Sequence, residues 1–203
     1  MTFLPLWQER HLTLAGEDFY ARDTVTVARQ LLGAIMVHHA PAGDTWGRVV
    51  ETEAYLGVND PSCHSSRGQT SRNQVMFGPP GRACIYFIYG MHYCCNVTSG
   101  RGAAAAVLIR ALEPLGGLDL MAARRLTSKP RDLCRGPARL AAAMGIGPAL
   151  NGASVVSGPV RFYLPRPHHP AEPIVTAPRV GISRAATWPL RFYLRDNPCV
   201  SRR

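Results

Sequence analysis

Strand-like patterns of apolar and polar residues dominate both ends of the chain. Short runs of β-branched and aromatic residues bounded by turn residues are typical of strands. In the first half the pattern predicts strands in "AIMVHH", "WGRVVETEAYL", "ACIYFIYGMHYCCNVTS" and "AAAAVLIRALEPL", the third holding two strands around a Tyr89–Gly90 bend. In the last third it predicts strands in "VRFYLP", "RVGIS" and "LRFYLRDNPCVS".

Helical patterns lie near the start and in the middle of the chain. "DTVTVARQLLG" predicts a short helix that Asp23 caps and Gly33 ends. "GGLDLMAARRL" has helix composition, and "GPARLAAAMGI" places Pro137 near a helix start, where its missing N–H is not needed. Without repeats or linkers, this order predicts a single α+β domain over residues 1–203, with a curved, largely antiparallel sheet and flanking helices.

The strand containing "VVETEAYLG" carries an unusual polar face. Alternate side chains of a strand share a face, so Glu51, Glu53 and Tyr55 should lie together, opposite a mostly apolar face. Two acids and an aromatic ring suit a cleft better than a packed interior. The alternative is a half-exposed strand with a solvated polar face.

A long connection follows this strand. Residues 57–82, "GVNDPSCHSSRGQTSRNQVMFGPPGR", are polar and rich in Gly, Pro and Ser. Loops of such length in compact domains usually carry function. The segment therefore becomes a candidate contributor to a site.

Composition and net charge indicate where the protein is located and what kind of partner it binds. The chain has 203 residues and no apolar run of membrane-spanning length, and its start lacks a secretory pattern, so we expect a cytoplasmic protein without membrane association. A net charge of +10 favours polyanionic partners, above all nucleic acid. Lys129 is the only lysine. The arginine bias suits bidentate phosphate contacts, although GC-rich coding explains it equally well.

The cysteines give no reason to expect a metal or a disulfide framework. The six cysteines include no CxxC pair, and Cys94 and Cys95 are adjacent. A cluster of Cys63, His64, Cys94 and Cys95 matches no zinc-finger spacing. We therefore predict reduced core thiols and no metal site.

Several chemically suited residues occur in three stretches around the polar strand. They are Glu53 and Tyr55 on the strand, His64, Arg67 and Arg72 in the loop, Tyr86, Tyr89, His92, Tyr93 and Asn96 in "IYFIYGMHYCCN", and the apolar-flanked Arg110. If Arg110 faces inward it needs a carboxylate partner, for which Glu53 or Glu51 could serve. Aromatic rings, an acid and a basic surface suit an enzyme that acts on an extruded nucleobase.

Each of these residues also has a structural interpretation. Tyr86 and Tyr89 could be core or hairpin tyrosines, and His64 a hydrogen-bonding loop residue. Arg110 could form a structural ion pair, and Asn96 could cap a turn.

The chain resembles the alkyladenine DNA glycosylases, also called methylpurine or 3-methyladenine DNA glycosylases. The matching stretches are "VVETEAYLG", "DPSCHSSRGQTSRNQVMFGPPG", "YFIYGMHYCCN", "LIRALEP", "LCRGPARL", "RVGIS" and "PLRFYLRDNPCVS", in the family's order. They cover nearly the whole chain from about residue 12.

The resemblance implies a role for each matched residue. Glu53 matches the general base that deprotonates the attacking water, and Arg110 the arginine that helps to hold that water and a phosphate. Residues implied to bind the flipped base are Tyr55, His64 and Tyr86, which sandwich it, and Asn96, which crowds the 2-amino group of guanine. Residues expected to contact DNA are Tyr89, the minor-groove wedge, with Met91, Arg67 and Arg72.

The resemblance further implies a monomeric repair enzyme that acts on damaged purines in double-stranded DNA without a cofactor, near the nucleoid if the source is bacterial. Because lyase glycosylases use an amine and the lone Lys129 lies in the polar stretch "LTSKPRD", we expect no lyase step. The α-amine is the alternative amine that the sequence leaves open. The chain departs from the family at His92, where a Tyr or Phe is usual, and in a loop after His64 that is one residue shorter.

Two other classes of function remain open from the sequence. A non-catalytic damage-binding module would flip and bind without releasing a base, and loss of Glu53 would mark it; Glu53 is present. A protein that reads single-stranded RNA with Tyr86 and Tyr89 would show no preference for damaged duplex.

Overall fold

The computed structural model describes residues 12–88, 90–165 and 172–202. Within them lie the strands β1 (Leu12–Leu14), β2 (Ile35–His38), β3 (Thr45–Tyr55), β4 (Ala83–Ile88), β5 (His92–Ser99), β6 (Ala105–Gly116), β7 (Val160–Pro165), β8 (Ile174–Ala177) and β9 (Arg191–Leu194). The α-helices are α1 (Glu17–Tyr20), α2 (Thr24–Gln30), α3 (Leu118–Arg125), α4 (Pro130–Leu133) and α5 (Pro137–Met144).

The strands form one open antiparallel sheet, which confirms the predicted α+β class. The main order is β1-β7-β2-β3-β6-β5-β4, while β9 pairs with both β3 and β8. The two longest strands, β3 and β6, lie side by side near the middle of this order. Strand β3 is therefore an inner strand of the sheet, with hydrogen-bonded neighbours on both sides.

The predicted helices occur, although α2 ends at Gln30, before the predicted stop at Gly33. The Asp23 carboxylate accepts a hydrogen bond of 2.9 Å from the backbone N–H of Thr26 at the start of α2. Pro137 begins α5, and Gly145 ends it in a left-handed conformation with φ of 69°. The short helices α1 and α4 were not predicted from the sequence.

Two strand predictions near the C-terminus need correction. "RVGIS" is not a strand but an irregular segment after β8, because Arg179 is drawn into a buried ion pair and the Val180 N–H donates to a carboxylate. Of "LRFYLRDNPCVS", only Arg191–Leu194 is a strand. The remaining residues form turns whose polar groups bind side chains of the sheet.

A continuous apolar core joins the sheet to the helices. Its largest fully buried side chains include Tyr20, Phe162, Phe192 and Met121. All six cysteines are buried free thiols, as predicted. No helix in the described part of the chain is long and apolar enough to cross a membrane.

Candidate active site

An irregularity in the pairing of β3 and β6 surrounds Arg110. Glu51 pairs with Ala111 and Thr52 pairs with Ile109, so Arg110 is an extra residue between the two pairs. Such bulges re-aim side chains and are common next to active sites. Arg110 consequently reaches both carboxylates of the polar strand face.

The buried Arg110 guanidinium has a partner at each of its nitrogens. Nε donates to Glu51 Oε1 at 2.9 Å, Nη1 lies 3.2 Å from Glu53 Oε1, and Nη2 donates to Ser201 Oγ at 3.2 Å. The expectation that Arg110 needs a carboxylate is thus met twice. These partners fix the plane of the guanidinium and leave its other N–H groups for the adjoining cavity.

Glu51 serves as the anchor of this network. Arg110 and Arg191 Nη1 both lie 2.9 Å from its Oε1, and the Ser201 backbone N–H donates to its Oε2 at 2.7 Å. With both oxygens bound and no exposure to solvent, Glu51 holds the two arginines and the C-terminal segment in place.

Glu53 is fully buried, yet its carboxylate has spare acceptor capacity. Oε1 accepts a hydrogen bond of 2.8 Å from the Val180 N–H, and Oε2 accepts one of 3.1 Å from the Tyr55 hydroxyl. Because a carboxylate oxygen accepts two hydrogen bonds, Oε2 can take one more, for example from water. Burial raises the pKa of Glu53, although Arg110, the Val180 amide and the Tyr55 hydroxyl act in the opposite direction.

A cavity of about 510 Å³ opens beside this pair of charges. Its walls include the predicted site residues Tyr55, His64, Arg72, Tyr86, Asn96 and Arg110, together with apolar and thiol side chains such as Met76, Cys84, Cys94 and Leu108. Glu53 lies directly behind three lining residues, Tyr55, Arg110 and Val180. The cavity has the volume and partly apolar character of a small-molecule site.

His64 and Tyr86 stack on each other within the cavity. Their ring centroids are 3.7 Å apart with an interplanar angle of 35°. A third ring between them would need about 7 Å, twice a van der Waals separation. The two rings therefore form one part of the cavity wall together, and Tyr55 also lines the cavity. Partial burial, followed by the charge of Arg72, lowers the pKa of His64 and favours a neutral imidazole.

Asn96 lies in strand β5, so the turn-capping interpretation is wrong. Its Nδ2 donates to the Cys84 carbonyl across the hairpin at 2.9 Å. This hydrogen bond fixes the orientation of the amide on the cavity wall.

The residues predicted to contact DNA are distributed differently. Arg67 is exposed outside the cavity lining, and Met91 is 70% exposed in the turn immediately before β5. Tyr89 lies outside the described residues. Arg72 lines the cavity, where its Cζ lies 4.5 Å from the Tyr86 ring centroid and its Nη2 donates to the Phe87 carbonyl.

A second buried ion pair was missed by the sequence reasoning. Arg179 donates to both oxygens of Asp60, and neither side chain is exposed. Asp60 also accepts the N–H groups of Leu56 and Ser62, and Arg179 Cζ lies 4.6 Å from the Tyr55 ring centroid. The pair thus joins the 57–82 loop, β3 and the segment that supplies the Val180 amide. Nothing local in "PRVGIS" indicates this partner.

Comparisons with known proteins show which family the chain belongs to. Residues 18–198 match the family model described as methylpurine-DNA glycosylase. A relative from Methanoculleus marisnigri named "Putative 3-methyladenine DNA glycosylase" is 54% identical over 188 residues, covering 91% of this chain and 97% of the relative. Proteins of the same name from Chlorobaculum tepidum (48% over 189 residues, 92% and 90% coverage) and Legionella pneumophila (46% over 189 residues, 91% and 96%) are also similar.

Proposed function

Because the chain belongs to the methylpurine-DNA glycosylase family, we propose that it is a monofunctional hydrolase of damaged purines in double-stranded DNA. Its substrates are of the 3-methyladenine, 7-methylguanine, hypoxanthine and ethenoadenine class, and its product is an abasic site. The observation that carries the proposal is the buried Glu53–Arg110 pair at a cavity with aromatic rings in its wall, which Arg110 helps to line.

In the proposed reaction, Glu53 acts as the general base. A water bound at Oε2 loses its proton to the carboxylate as its oxygen attacks C1′, and the C1′–N bond breaks with its electron pair leaving on the base. Arg110 helps to hold this water and a neighbouring phosphate. An alkylated purine cation leaves as a neutral base, so its release requires no second acid. Hypoxanthine and ethenoadenine leave as anions and take up a proton from water.

The cavity binds the damaged base, and surface residues bind the surrounding DNA. The flipped base stacks between Tyr55 and the His64–Tyr86 wall, and Asn96 crowds a guanine 2-amino group. Tyr89 fills the gap in the duplex, and Met91 and Arg67 also contact the DNA. The net charge of +10 supports sequence-independent binding that weakens steeply with salt.

The position of the lone lysine supports a hydrolase without lyase activity. Lys129 is exposed at the start of α4 and is not among the residues that line the cavity. A Schiff base requires an amine at C1′. None of the residues that line the cavity carries such an amine.

The function is tested by base release from a duplex oligonucleotide with one hypoxanthine or ethenoadenine, analysed with and without alkali. Strand cleavage only after alkali is expected, since an abasic site needs base treatment to break. Lys129→Ala should behave as wild type. Binding of the damaged duplex without any release would favour the damage-binding module, and cleavage without alkali would reveal lyase activity.

Activity should depend on pH through the ionisation of Glu53. The general base must be ionised, so single-turnover release should rise as pH increases through the Glu53 pKa. Burial raises that pKa, which places this acid limb above the ordinary carboxyl range. Tyr55→Phe removes a hydrogen bond that favours the ionised form, so the limb should move to higher pH. A limb unmoved by Tyr55→Phe would assign it to another group, such as His64.

A further inference from the structure

The two arginines that line the cavity differ in how their charges are balanced. Arg110 lies against two carboxylates, those of Glu51 and Glu53. Arg72 forms no ion pair within the described part of the chain; its guanidinium lies over the Tyr86 ring and donates to the Phe87 carbonyl. Arg72 thus brings a positive charge without a carboxylate partner to the cavity wall.

The loop holds Arg72 in this place through its buried neighbour Asn73. The Asn73 Nδ2 donates to the His64 carbonyl at 2.8 Å and to the Gly68 carbonyl at 3.0 Å, while its Oδ1 accepts the Thr70 N–H at 2.7 Å. Asn73 is only 2% exposed. These hydrogen bonds connect the backbone next to Arg72 with the backbone at His64. The conformation of the loop therefore brings both side chains to the Tyr86 ring.

We propose that Arg72 is a specificity-determining residue that lowers the preference of the cavity for cationic purines relative to neutral ones. The inference rests on the function proposed above. A purine cation in the cavity meets the like charge of Arg72, which no carboxylate offsets. A neutral purine does not experience this repulsion, so the residue broadens the substrate range toward neutral lesions.

The position of Arg72 distinguishes this role from that of a phosphate clamp. A backbone contact would help every flipped nucleotide equally, whatever the charge of its base. A charge beside the base acts differently on cationic and neutral substrates. The ratio of two release rates separates these cases, because effects shared by both substrates cancel.

The test measures single-turnover release of 7-methylguanine, a cation in DNA, and of hypoxanthine, which is neutral, with saturating enzyme. Arg72→Gln should raise the 7-methylguanine to hypoxanthine rate ratio roughly two- to fivefold over wild type, the range expected for a partly solvated charge. Arg72→Lys keeps the charge, so its ratio should stay nearer to wild type. Arg67→Gln changes an arginine outside the cavity lining, so it should alter both release rates alike and leave the ratio unchanged.

An Arg72→Gln ratio equal to that of wild type, or shifted toward hypoxanthine, would overturn the specificity role and favour a phosphate contact. Wild type releasing neither base would instead overturn the proposed function, and the Arg72 proposal with it. Base release by the wild-type protein therefore distinguishes failure of the Arg72 proposal from failure of the proposed function.

Discussion

Glu53→Gln is expected to lower the single-turnover rate of base release by about 10²- to 10⁴-fold, the usual contribution of a general base. The amide has the shape of the carboxylate but cannot take a proton from water. It also presents an N–H₂ group where Glu53 now accepts from Arg110, Val180 and Tyr55. Damaged-duplex binding should persist, because Glu53 lies behind the cavity wall.

The matched control for this result is Tyr55→Phe. It keeps Glu53 and the aromatic wall and removes only the hydroxyl that donates to Oε2. Its loss should be smaller, roughly tenfold or less, since one hydrogen bond contributes about 0.5–1.5 kcal/mol. Glu53→Gln release within threefold of wild type, with binding intact, would show that another group activates the water.

Asp60→Asn should cause the largest loss of stability, by about 3–5 kcal/mol. The change removes the charge that faces Arg179, whose side chain is fully buried, and leaves the guanidinium without a counterion next to Tyr55. For a chain of this size the melting temperature should fall by roughly 6–20 °C. Thermal unfolding followed by circular dichroism measures the shift.

Two controls make the stability result specific to the buried pair. Asp18→Asn removes the carboxylate of an exposed pair, Arg101–Asp18 at 3.4 Å, and should leave the melting temperature unchanged. Asp60→Asn combined with Arg179→Met removes both buried charges and should be less destabilising than the two single changes added together. Additive losses would mean that Asp60 and Arg179 act separately.

The sheet was predictable because its strands carry their own local signals. Alternation in "WGRVVETEAYL" places Glu51, Glu53 and Tyr55 on one face without knowledge of any partner strand. Helix α2 likewise follows from Asp23 and Gly33, whose effects act within one turn. Such features depend on residues that are close in sequence, so the sequence alone predicts them.

The contacts that complete the site depend on distant residues and were not predictable. Ser201 reaches Glu51 across 150 positions, and Arg179 reaches Asp60 across 119. "RVGIS" looks like a strand because Val180 and Ile182 alternate, yet the tertiary bonds of Arg179 and Val180 prevail over that pattern. The bulge at Arg110 also requires the register of β3 against β6.

Among the side chains that line the cavity, some positions were predictable from the sequence and others were not. That Tyr55, His64, Tyr86, Asn96 and Arg110 share one site follows from the family resemblance and agrees with the lining residues. The resemblance did not place Arg72 over Tyr86, because the orientation of a loop arginine depends on side-chain and backbone partners such as the Phe87 carbonyl. The positions of these residues are observed, and their catalytic roles stay predictions.

The most direct measurement is mass spectrometry of free bases released by the purified protein from methylated duplex DNA, with unmethylated DNA alongside. Hydrolysis predicts that 3-methyladenine or 7-methylguanine accumulates with time, that abasic sites form in equal number, and that Glu53→Gln releases almost none. Tight binding of methylated DNA by the wild-type protein with no free base would contradict the hydrolase and leave a protein that recognises damage without removing it.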